Sequence, residues 1–247
     1  MRASKDSIRT HSSEEHFYLT CEKYYIFELL TFAAGMLGAY TYNLRGGVFC
    51  NAQTANVVLM AMAFGQGQFG RGFYFLIPIT AYVGAAFVSE YLPVKVRKMD
   101  FLRWDTYLVG FEILIVFLLG FMPLSWPVQI AQVSINFICS MQYNTFRQAE
   151  GIPMATTFVT NHVRQVGVGL ANYHRKRDRA SLERLKKHGL MLVSFFAGGL
   201  ILTLFCGVFK ERVIWLAILP FAVSFVLMVH ADLSGEHSLL GRKPRRH

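Results

Sequence analysis

Asn51-Ala52-Gln53-Thr54-Ala55-Asn56 and Thr156-Thr157-Phe158-Val159-Thr160-Asn161-His162 decide how this chain is read. Each is a polar patch in a sequence otherwise dominated by long apolar runs. Each follows a Gly-containing stretch and precedes a short apolar run. Polar side chains and irregular backbone at bilayer depth are costly, and persist where protein or a water-filled cavity surrounds them. A duplicated pair of such patches points to a repeat protein whose working site lies between the repeats.

The chain has 247 residues, of which 53% are hydrophobic and 16% charged. Apolar runs lie at about 25–42, 73–92, 106–122, 126–146, 190–206 and 213–229. Each is close to the roughly 20 residues that cross a hydrocarbon core as a helix. The expected fold is therefore an all-α membrane protein with about six transmembrane helices and two short broken or re-entrant polar helices, at 51–64 and 154–170. Residues 1–24 hold no apolar core ending in a small-residue cleavage site. The first spanning helix is thus expected to serve as insertion signal.

The net charge of +10 comes from basic segments at 93–103, 171–187 and 242–246. The positive-inside rule accounts for these, and without interleaved aromatics they do not read as a nucleic-acid surface. If all eight segments spanned, 93–103 would face the side opposite the C-terminus. If the two polar segments enter and leave on one side, six helices span and all three basic segments lie inside. The second arrangement satisfies the charge rule without exception and is preferred. It divides the chain into a cytoplasmic segment 1–24, one transmembrane domain 25–231 and a basic cytoplasmic tail 232–247. The domain splits into repeats at about 25–122 and 126–231, which insert in opposite orientations because each has three spans. An ungapped comparison places Asn51 opposite Thr157, Thr54 opposite Thr160 and Asn56 opposite His162. At an offset slightly changed by the longer basic loop, Gly84-Ala85 resembles Gly198-Gly199, small residues suited to close helix contact in lipid.

Gly46-Gly47-Val48-Phe49, and Met141-Gln142 with Asn144, Phe146-Arg147 and Gly151-Ile152-Pro153 through Thr160, carry a family resemblance. Over roughly 25–230 the chain resembles the YoaK-like family of bacterial integral membrane proteins, a domain of unknown function designated DUF1275. The resemblance implies a multi-pass protein of the bacterial inner membrane and supplies no substrate. The family pattern reads Met-Thr-Gly-Asn and Val-Thr-Gly-Asn where this chain has Gln53-Thr54-Ala55-Asn56 and Val159-Thr160-Asn161-His162. Gly38 stands where relatives carry an acid, which puts acid-linked coupling at that position in doubt.

The candidate substrate or ion pathway comprises Asn51, Gln53, Thr54, Asn56, Glu112, Gln142, Asn144, Thr156, Thr157, Thr160, Asn161 and His162. Their hydroxyls and amides can donate and accept hydrogen bonds without charge, as a small polar solute requires. Helix N-termini at the patches would also favour an anion. The same groups could instead cap broken helices. His162 could relay a proton or sit neutral against a neighbouring helix. Glu112, mid-span, marks a pathway or a protonated packing residue. Gln129, Gln132, Asn136 and Gln142 approximate a polar stripe expected to face protein or a cavity rather than lipid. The four scattered cysteines form no zinc spacing, and no nucleophile–base pair, phosphate loop or dinucleotide motif is present. No cofactor, metal or enzymatic activity is therefore expected. The reading is a secondary transporter or channel-like carrier for a small polar or anionic solute, with the lipid bilayer as partner and homo-oligomerisation open. The alternative is a membrane scaffold or sensor acting through the basic segment 171–187.

Overall fold

The computed structural model describes residues 18–96 and 101–240. Parts of the N-terminal segment and of the 93–103 loop, and the whole 242–246 run, lie outside them. The fold is all-α, apart from one two-residue hairpin, and is compatible with a membrane protein. Among the described residues, two helical stretches could cross a membrane by length and composition, Phe69–Val96 and Arg179–Leu233, with mean hydropathy 1.6 and 2.3.

The elements are α1 (Tyr24–Leu44), α2 (Gln53–Gly65), α3 (Phe69–Tyr74), α4 (Leu76–Val96), α5 (Trp104–Leu119) and α6 (Val128–Thr145). A hairpin of β1 (Gln148–Ala149) and β2 (Ile152–Pro153) follows, then α7 (Thr160–Lys176), α8 (Arg179–Phe209), a 3-10 segment (Lys210–Ala217) and α9 (Ile218–Leu233). The hairpin turns through Glu150 and Gly151, both with positive φ, 49° and 76°. That pair is the signature of a primed two-residue turn, in which the second position favours glycine.

α1 forms the centre, with Ile26, Phe27, Leu30, Leu37 and Tyr40 fully buried. It runs parallel to α8, because contacts keep a constant sequence separation: Thr31 to Met191 and Asn43 to Thr203 are both 160 residues apart. Glycine permits the approach. A Cβ on Gly35 would lie 2.1 Å from the Phe195 carbonyl oxygen, and one on Gly198 would lie 2.0 Å from that of Phe32. Close backbone contact of this kind is how helices gain packing energy in lipid. Gly84, expected to match Gly198, faces open space, while its neighbour Ala85 is fully buried.

α4 and α6 form a second parallel pair, again at constant separation. Tyr82 to Ser140 and Ala86 to Asn144 are each 58 residues apart, as is Tyr74, at the end of α3, from Gln132.

Two ends of the molecule are fixed by polar clusters. At the first, Arg45 at the close of α1 donates to the Tyr40 hydroxyl (2.8 Å) and to the Met122 and Pro123 carbonyls beyond α5. Gln132 near the start of α6 donates to the Arg45 carbonyl at 2.7 Å. At the second end, Arg103 pairs with Asp232 at 3.1 Å, and Glu236 accepts from the Thr20 amide and hydroxyl. Glu150 there accepts from Lys187 at 2.5 Å, and its amide donates to the Glu22 carbonyl. The described parts of the N-terminal segment, the 93–103 loop and the C-terminal region thus share one end.

The basic segment 171–187, expected as a loop, is a helical hairpin. Arg177 takes a left-handed conformation (φ 54°) that closes α7, and Asp178 then caps α8 by accepting from the Ser181 amide at 2.6 Å. A two-residue break is enough because the αL residue ends one helix and the carboxylate starts the next.

Candidate functional site

After α1 ends at Arg45, the chain does not leave by that end. It turns inward through Gly46 and Gly47, both at positive φ (91° and 68°). Asn51 reaches the level of Gly38, where a Cβ would meet the Asn51 amide nitrogen at 3.5 Å. α2 begins there, level with the middle of α6: Gln53 donates to the Asn136 side-chain oxygen at 2.7 Å. It then returns toward the entry end, since Phe64 packs over Gly72 and Tyr74 donates to Gln132.

The second polar segment arrives from the other end. From the β1–β2 hairpin, Met154 to Val159 runs without regular structure to α7. The two segments touch: the Asn51 side-chain amide donates to the Thr157 carbonyl oxygen at 2.7 Å, across 106 residues of sequence. α7 then turns back beside α8, so that Gly169 lies against Leu185.

On these two segments, and on α5 and α6, several buried polar atoms have no hydrogen-bond partner among the described residues. They are Asn56 Oδ1, Asn136 Nδ2, Gln142 Oε1, Thr156 Oγ1 and both carboxylate oxygens of Glu112. Asn56 donates to Gln53, which itself bonds Asn136, so these three form one chain. Glu112 lies mid-way along α5, within electrostatic range of Cys139 on α6.

The backbone entering each segment is held alike. Tyr42, near the end of α1, stacks on Phe49 with centroids 4.7 Å apart; Tyr143, near the end of α6, packs on Phe158 at 4.5 Å. The next residue in each case is Asn. Asn43 donates to Thr203 on α8 at 3.1 Å, and Asn144 donates to Ser89 on α4 at 2.7 Å. Each stack lines a cavity. One, of about 550 Å³, opens between α1 and α8 beside Gly38, Asn43 and Val159. The other, of about 420 Å³, lies beside Asn144, Arg147, Ala155 and Asn161.

A family model described as a protein of unknown function, DUF1275, matches residues 26–227. The chain belongs to the DUF1275 family. No curated protein and no solved structure matches it.

Within this DUF1275 chain the nominated residues separate into groups. Asn51, Gln53, Asn56 and Thr157 come together with Asn136. Thr156, next to Thr157, is fully buried and unpartnered. Thr54 and Thr160, which match one another in the repeat comparison, are both exposed. Gln142 donates to the Leu30 carbonyl at 3.5 Å. Asn144 is occupied in helix packing, bonding Ser89 and Glu90, while Arg147 pairs with Glu90 at 2.5 Å. Asn161 accepts from Arg164. His162 meets the Ala155 carbonyl through Nε2 at 2.7 Å and the Nδ1 of His188 through Nδ1 at 2.9 Å. If Nε2 carries the His162 proton, its Nδ1 accepts from His188; the ring links the unwound segment to α8. Sequence reasoning missed His188, and missed the recurrence of Tyr42-Asn43 with Arg45 and Tyr143-Asn144 with Arg147, which was visible in the sequence.

Proposed function

We infer that this chain is a multi-pass membrane carrier, of transporter or channel type, for a small polar solute that passes where the two polar segments meet. The observation that carries the reading is the Asn51–Thr157 contact, with unpartnered polar atoms buried around it. A protein fold leaves buried polar groups unsatisfied at a cost of about 1–3 kcal/mol each. A site that alternately holds and releases a solute gives such groups a partner for part of its cycle.

The architecture that goes with this reading has six spans: α1, α3 with α4, α5, α6, α8 and α9. The segment 45–65 and the segment 154–176 re-enter from opposite faces, and the two halves form inverted repeats. The matched parallel pairs α1–α8 and α4–α6 support it, as do the equivalent contacts Asn43–Thr203 and Asn144–Ser89. The eight-span alternative would separate the 93–103 loop from the C-terminal region, and is disfavoured by the Arg103–Asp232 pair. The end that gathers Arg103, Lys187 and the basic α7–α8 hairpin is the cytoplasmic end by the positive-inside rule, with both termini cytoplasmic in an inner membrane. Large exposed apolar side chains such as Phe87, Phe117, Phe196, Leu204 and Val226 would face lipid.

A second reading, a scaffold or sensor, has support from the hairpin alone. Its α7 is amphipathic and ends in His174, Arg175 and Lys176, features that suit anionic lipid. The two readings separate in proteoliposomes. The carrier reading expects light-scattering swelling with at least one of glycerol, urea, formate or methylammonium above protein-free vesicles, and loss of it in Asn56→Ala with folding intact. Swelling unchanged in Asn56→Ala would reject the site. No swelling, with vesicle binding abolished by neutralising Arg175, Lys176, Arg177 and Arg179, would favour the scaffold.

A further inference from the structure

Of the unpartnered buried atoms on the two polar segments, α5 and α6, five are oxygens: Glu112 Oε1 and Oε2, Asn56 Oδ1, Gln142 Oε1 and Thr156 Oγ1. One is a donor nitrogen, Asn136 Nδ2. Glu112, Asn56, Asn136, Gln142 and Thr156 are all fully buried. α6 organises them, carrying Asn136, Cys139 and Gln142 on successive turns of one helix. Asn136 connects to Gln53 and so to Asn56, while Cys139 lies within electrostatic range of both Glu112 and Cys50, the residue before Asn51.

The formal charges nearby are one-sided. Glu112 makes no salt bridge among the described residues. The buried guanidinium groups lie at the ends instead: Arg45 is engaged by Tyr40, Met122 and Pro123, and Arg103 by Asp232 and Leu239. An anion at the centre would meet a carboxyl and a set of acceptors. A cation would meet an acid and neutral oxygens, the ligands hard cations take.

We propose that Glu112, with the side-chain oxygens of Asn56, Gln142 and Thr156, forms a binding site for a monovalent cation, either an alkali metal ion or a small alkylammonium group. The charge count sets the valence. A single carboxylate with neutral oxygens balances one positive charge, whereas divalent sites gather several carboxylates, and no cluster of three metal-ligating side chains exists among the described residues. This rests on the carrier reading and narrows its solute or coupling ion from "polar or anionic" to cationic.

The test is a thermal-shift titration of the full chain in detergent with sodium, potassium and methylammonium chlorides, against choline chloride at equal ionic strength. Sodium sulfate and sodium chloride are compared at equal sodium to read any anion effect. A ligand bound only by the folded state raises Tm saturably, by roughly 3–6 °C at ten times Kd. Wild type should show this rise with at least one of the three cations and not with choline. Glu112→Gln should abolish it, and Glu112→Asp should move the half-saturation point at least several-fold. A wild-type Tm indifferent to all three cations, or raised by sulfate alone, overturns the proposal, as does a cation shift that survives in Glu112→Gln. The wild-type titration decides even if the variants do not fold. Swelling with glycerol or urea in a protein indifferent to cations would leave the carrier reading standing while this proposal fails.

Discussion

The side-chain amide of Asn51 donates to the backbone carbonyl of Thr157, 106 residues away, and these two residues face one another in the ungapped repeat comparison. Under the inverted-repeat reading proposed above, matched positions that touch each other lie close to the axis relating the halves. The contact is therefore both a joint between the polar segments and the reference point for any site built from them.

Asn51→Ala removes the donor and leaves a buried carbonyl without a partner. The expected cost is about 1–3 kcal/mol, read as a fall in Tm of the purified protein. Asn51→Asp should be worse than Ala, since it sets a carboxylate against a carbonyl oxygen. A neutral effect of both changes would remove the joint from the account.

Gly35→Ala and Gly198→Ala should each disrupt the α1–α8 pair. The added methyl would meet backbone oxygen at 2.1 and 2.0 Å, and backbone cannot move aside as a side chain can. Overpacking typically costs about 1–3 kcal/mol and occasionally more. Gly84→Ala meets nothing within 4 Å and should be neutral or slightly stabilising. Size-exclusion profiles and Tm of the three variants check the contrast.

How much of this was legible beforehand varies by element. The apolar runs located α1, α5 and α6 to within a few residues, because burial in a helical bundle and solubility in lipid select the same side chains. α8 begins at Arg179, eleven residues before its apolar run opens at 190. Its first turns are basic, and a charge run reads as loop unless the Asp178 cap and the left-handed Arg177 are recognised. The polar patches were legible as a pair, yet their exposed members Thr54 and Thr160 could not be separated from buried Asn56 and Thr156. Which face of a short helix turns inward depends on neighbours far away in sequence. Of the polar stripe on α6, Gln132, Asn136 and Gln142 are buried and Gln129 is half-buried. Its division between packing (Ser140, Asn144) and unpartnered atoms (Asn136, Gln142) needed coordinates.

At the basic end, burial raises the Glu150 carboxyl pKa, but the hydrogen bond from Lys187, the Tyr24 amide and the charges of Lys187 and Lys23 outweigh it and hold the group below its ordinary value. With the folded pKa below the unfolded one, the pair's contribution is full above the unfolded pKa, near 4.5, and is lost as pH falls through the folded pKa. Glu150→Gln should lower Tm at pH 7 and converge with wild type in the acid limit. Parallel Tm curves from pH 7 down to pH 3 would contradict the assignment.

The central claim is that the two polar segments enter from opposite faces of a six-span bundle. Single cysteines at Gln66, Lys95 and Lys176, with the native cysteines replaced by serine or alanine, test it most directly. Impermeant maleimide added to intact cells should label position 66, and should reach 95 and 176 only after the cytoplasmic face is opened. Labelling of 95 and 176 from opposite faces, or of 66 from the same face as 95, would contradict the account.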